Sequence, residues 1–189
     1  MSGHGFHVHG PHDHEVEHAA HGGDNFSSKI AVMTAILATV GAVFGYQAGS
    51  TQNNAALFKN NAAINKTAAS NEWNFYQAKS NKQNLAELAI TLPGVDQNKY
   101  RDEVERYKKE KSAIKAEAEK LEAASLDWDK QSEAQMHQHH RWAQAMTAEQ
   151  IAISLAAITL LTRKKWLEYA AYAVAGVGLV LGVLASFHI

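Results

Sequence analysis

Residues 30–49 read IAVMTAILATVGAVFGYQAG, a run without a charged side chain. At 1.5 Å of rise per residue, a helix of that length crosses a bilayer core of roughly 30 Å. Lipid offers the backbone no hydrogen-bond partners, so a chain that enters it must cross as helices or as a closed barrel. The stretch therefore sets the fold class as an all-α membrane protein. It begins well inside the chain, lacks a strongly basic leading region and exceeds the apolar core of a signal peptide, so it reads as a span.

Two more apolar stretches follow, at 142–162 and 166–187, parted only by Arg163, Lys164 and Lys165. They predict three transmembrane helices, the last two joined in a tight turn. Basic residues in short loops favour the cytoplasmic side. The triplet, together with Lys29, places the tail 1–29 in the cytoplasm, and the segment 50–141 and the C-terminus in the periplasm of a bacterial inner membrane. The net charge is −1, and basic residues in the middle segment alternate with acids, so no nucleic-acid partner is expected. Cysteine is absent, which excludes disulfides and thiolate metal sites.

The segment 50–141 is rich in Ala, Glu, Lys and Gln and broken once, at Pro93-Gly94, which predicts two long helices. On the second, Tyr100, Val104, Tyr107, Lys111, Ile114, Ala118, Leu121, Ser125 and Trp128 form a heptad seam. On the first, Leu57, Ile64, Ala68, Phe75, Ala78, Leu85, Ala89 and Leu92 fit the same spacing, with Asn61, Asn71 and Lys82 between them. Folding at Pro93-Gly94 sets Ala89 opposite Tyr100, Leu85 opposite Val104, Phe75 opposite Ile114 and Ala68 opposite Leu121. The expectation is a long antiparallel coiled-coil hairpin, continuous with the first and second spans and roughly 60 Å long by helix rise.

A two-helix arm with polar seam positions buries little apolar surface, so neighbouring copies are expected to support it. Gly41, Gly45 and Gly49 recur every fourth residue, and Gly178, Gly182 and Ser186 do the same. Such stripes let helices approach closely, within one subunit or between subunits. A homo-oligomer in contact with membrane lipid, with envelope proteins as further candidate partners, is the expected assembly.

The runs ASNEWNFYQAKS at 69–80, RYKKE at 106–110 and QIAIS at 150–154 resemble the bacterial membrane proteins of domain-of-unknown-function family 4337. The resemblance covers 29 to the C-terminus and leaves out the His-rich tail. It assigns no activity. Of the residues that carry it, Trp73, Tyr76 and Ser80 share a helix face and form a candidate contact surface or an inter-helix packing patch.

The tail interleaves His7, His9, His12, His14, His18 and His21 with acids. Imidazoles suit divalent Zn, Ni or Cu, so these are candidate metal ligands, although a His tract of this kind commonly binds metals without a dedicated site. His137, His139 and His140 beside Trp142 read as an interfacial belt. Glu149, followed by Gln150, lies about two turns inside the second span and is the sharpest anomaly, because an ionisable group within a span is a functional candidate. Three environments are open to it: a bond to Thr39 or Gln47, a wet pore in an oligomer, or the membrane interface. No nucleophile elbow, phosphate-binding loop or HExxH motif is present, so no enzyme is expected. The leading expectation is an oligomeric, membrane-anchored coiled-coil scaffold; the alternative is an ion or metal channel using Glu149 and the His tail.

Overall fold

The computed structural model describes residues 25–187, which form three helices. Helix α1 runs over Asn25–Ile90, α2 over Gln97–Thr162 and α3 over Lys165–Ser186. All three are long and apolar enough to cross a membrane. The first two are 66 residues each and meet at a turn containing Pro93 and Gly94. Gly94 has φ +80°, a left-handed conformation that costs a residue without Cβ nothing. Asp96 starts α2 by accepting bonds from the backbone N–H groups of Asn98 and Lys99. Between α2 and α3, Arg163 takes a positive φ of 54° and donates its N–H to Thr159 O, reversing the chain within two residues.

The chain divides into two compact units, the described parts of Met1–Thr51 with His137–Ile189, and Gln52–Met136. In the first, an apolar cluster joins Ile30, Met33 and Leu37 to Ala152, Ala156, Ala171 and Ala175. A second joins Phe44 and Ala48 to Trp142, Ala145 and Ala185. The interior side of α2 carries Ala145, Ala152 and Ala156 beside Trp142, Glu149 and Thr159, and its alanines let the three helices approach closely. Larger side chains, among them Val32, Ile36, Val43, Val177, Val180 and Val183, point outward.

In the second unit, the inner face of α2 is the seam expected from its heptads: Val104, Ala118 and Ser125 are buried, and Tyr100, Tyr107, Lys111, Ile114, Leu121 and Trp128 half-buried. Partners rise along α1 as they fall along α2. The Ser132 hydroxyl donates to Ala55 O and that of Ser125 to Ala62 O, Lys66 pairs with Glu122, and Lys79 pairs with Glu110.

The inner face of α1 is a correction. Its buried positions are Ala55, Ala62, Ala69 and Ala86, while Leu57, Ile64, Phe75, Leu85 and Leu92, expected in the seam, are at least half exposed. Ser125 meets Ala62, where the expected register puts residue 64 opposite it. A shift of two residues moves a helix by only about 3 Å but turns it by about 200°, so it exchanges the inner face for the outer one. The alanine column wins because it lets the backbones come close enough for the two serine hydroxyls to reach carbonyls on the opposite helix.

Glu110 lies beside the Lys79 ammonium, which holds its carboxyl below the usual range, assisted by Arg106 and Lys82. A lowered folded value contributes stability that is fully present above the unfolded value of about 4.3 and is lost as pH falls through the folded one. The pair is partly exposed, so its effect is small. In thermal melts of the full chain, the advantage of wild type over Glu110→Gln should be present at pH 7 and vanish in acid. An advantage that persists at low pH would show that the pair is not its source.

Candidate functional site

The inward stripe of α2 in the first unit runs Ala145, Glu149, Ala152, Ala156 and Thr159, each completely buried. Glu149 is by far its largest polar member. Two glycines make its room. A Cβ on Gly178 of α3 would lie 2.7 Å from Glu149 Oε1 and 3.2 Å from Ala148 Cβ, and one on Gly41 of α1 would lie 3.6 Å from Glu149 Cβ. Neither carboxylate oxygen has a hydrogen-bond partner among the described residues. The Thr39 hydroxyl donates to Ala35 O on its own helix. An unpaired charge at such a site costs several kcal/mol.

Glu149 is therefore enclosed by α1 and α3 of its own subunit, and its neighbour Gln150 points outward. Of the other glycines singled out by spacing, Gly45 lies against Met146 and Gly182 against the Phe44 ring, whereas Gly49 is open. Gly41, Gly45, Gly178 and Gly182 thus serve contacts within the bundle.

Polar contacts mark both ends of this unit. At one, Lys29 pairs at 2.7 Å with Glu168, which is 7% exposed, and its ammonium lies 5.5 Å from the centroid of the Tyr172 ring. Glu168 was not a sequence candidate; its signal was a carboxylate just inside the third apolar stretch, with Lys29 as the complementary charge before the first. At the other end, Gln138 donates to Ala185 O, His139 Nδ1 lies 2.9 Å from Ala48 O, and the Trp142 and Phe44 rings meet tilted with centroids 5.6 Å apart.

In the second unit, Trp73 and Tyr76 meet edge to face at 5.6 Å, and the Lys111 ammonium of α2 lies 5.1 Å from the centroid of the Tyr76 ring. Tyr76 thus faces α2; Trp73 and Ser80 are half-buried. His7, His9, His12, His14, His18 and His21 lie outside the described residues. Among the described residues, no group of three or more His, Cys, Asp and Glu is placed to hold a metal ion.

The family model of a domain of unknown function, DUF4337, matches residues 26–188. No curated protein and no solved structure matches the chain.

Proposed function

We propose that this chain, which belongs to the DUF4337 family, is a non-catalytic scaffold of a bacterial inner membrane, anchored by three spans and carrying an antiparallel coiled-coil hairpin. The observation that carries this reading is the apolar exterior of the first unit. Small residues such as Ala145, Ala152, Ala156, Ala171 and Ala175 share its interior with Ile30, Leu37, Phe44 and Trp142, while Val32, Ile36, Val43, Val177, Val180 and Val183 face outward, the arrangement expected where the surroundings are hydrocarbon. Lys29, Arg163, Lys164 and Lys165 mark the ends of helices at one side of the bundle and support its cytoplasmic placement. The serine, lysine and tyrosine contacts between α1 and α2 support the hairpin.

A channel lined by Glu149 has less support, because the carboxylate is walled in by its own subunit instead of facing a shared axis. Reconstituted liposomes separate the two. The scaffold reading expects the full chain to stay with the vesicles after alkaline carbonate washing, and proton and divalent-metal flux no greater than in protein-free vesicles. Flux that is lost in Glu149→Gln would establish the channel instead, and release by carbonate would remove the membrane anchor.

A further inference from the structure

The side of α1 opposite α2 in the second unit has an unusual composition. Its central heptad column is Asn60, Thr67, Asn74, Asn81 and Leu88. One flanking column holds Leu57, Ile64, Asn71, Ala78 and Leu85, and the other holds Ala56, Ala63, Ser70, Gln77 and Asn84. Every one of these side chains is exposed and none is charged. The charges of α1 lie elsewhere on its circumference, as Lys59 and Lys66 do beside α2, paired with Asp129 and Glu122. The outer face of α2 is the opposite case, crowded with Glu105, Lys108, Lys115, Glu117, Glu119 and Lys120.

An exposed helix face free of charge over this length is the composition of an interface centre, where charged residues are depleted. Its central amides do not suit hydrocarbon, and its lack of charge does not suit a charged partner. We infer that this face of α1 binds the same face of a second copy of the chain, forming a parallel two-fold pair.

Self-pairing suits the chemistry of the face. In a parallel two-fold pair each residue meets its own equivalent, so a charged face would repel itself, whereas a carboxamide is donor and acceptor at once and bonds its twin. Asn74 then meets Asn74 and Asn81 meets Asn81, in the manner of buried asparagines that fix the register of coiled coils. Leu57, Ile64, Leu85 and Leu88 supply the apolar contacts, and each is more than half exposed in the single chain. A strip about 50 Å long and about 10 Å wide buries on the order of 1,000 Å2 in total, the lower limit for a specific interface. Confinement of both copies to one membrane raises their effective concentration and makes so modest an area sufficient. The parallel direction rests on the membrane-anchored reading above, since copies inserted the same way round share an axis along the membrane normal.

The chain contains no cysteine, so single cysteines report contacts cleanly. Full-length Asn74→Cys, Asn81→Cys and Lys120→Cys are oxidised in membrane vesicles, and half of each sample is first washed with carbonate. Disulfide-linked dimers of twice 20.7 kDa are expected at positions 74 and 81, with Lys120→Cys remaining monomeric. Adding Thr67→Glu to Asn74→Cys should abolish the dimer by placing two carboxylates face to face. Monomers at all three positions, equal dimer at position 120, or an adduct of another mass would overturn the inference. Cross-link absent from chain that the wash leaves in the membrane refutes this interface alone, whereas release by the wash refutes the membrane anchor and is read separately from the cross-link.

Discussion

Gly182→Ala should lower the stability of the detergent-solubilised chain by about 1–3 kcal/mol, read as a drop in the midpoint of thermal unfolding. The added Cβ would fall inside the contact distance of the Phe44 ring, against the ring's Cζ and both Cε atoms. Phe44 cannot simply withdraw, because it is buried at 9% exposure with the Trp142 ring tilted against it at 5.6 Å between centroids. The glycine and the phenylalanine thus form a lock between α1 and α3. Phe44→Leu alone leaves a void and should cost about 1–2 kcal/mol. In the double variant the smaller side chain makes room for the new methyl, so the combined loss should be smaller than the sum of the two. Strict additivity would show that the two residues do not share this contact.

Glu149→Met should have the opposite sign and raise stability by about 1–3 kcal/mol. The substitution keeps an unbranched side chain of similar length, able to adapt to the space beside Gly178, and removes two buried oxygens that have no partner among the described residues. Glu149→Lys should prevent the bundle from forming, since it buries a longer charged side chain in the same place. A lower midpoint for Glu149→Met would mean that the carboxylate has a stabilising partner, such as a bound cation. A higher midpoint would identify Glu149 as a stability liability, of the kind proteins tolerate where a residue serves a role other than folding.

Helix content, the three apolar stretches and the Pro93-Gly94 turn were legible because each is a local property: hydrophobic length, absence of charge and backbone preference act without reference to the rest of the chain. The inner face of α2 was equally legible, since apolar and small residues recur there at heptad spacing with Lys111 as the one charged interruption. On α1 the same logic misled. Two heptad columns compete, one of alanines and one of leucine, isoleucine and phenylalanine, and hydrophobicity alone favours the second. The choice depends on how closely α2 approaches, a tertiary quantity: alanine allows the hydrogen bonds of Ser125 and Ser132 to carbonyls across the gap, and the bulkier column does not.

Glu149 and the glycines divide in the same way. Composition and spacing marked Glu149, Gly41 and Gly178 separately, but three residues on three helices are brought together only by packing. That packing spends the glycine stripes inside the subunit and encloses a carboxylate that hydropathy alone left open to a pore or the membrane interface. The sequence by itself determined which segments are helical and apolar, because those properties are carried residue by residue. Tertiary structure alone decided which face of α1 turns inward in the second unit, because a rotation of half a turn costs almost nothing in local energy and is settled by the fit of one surface against another.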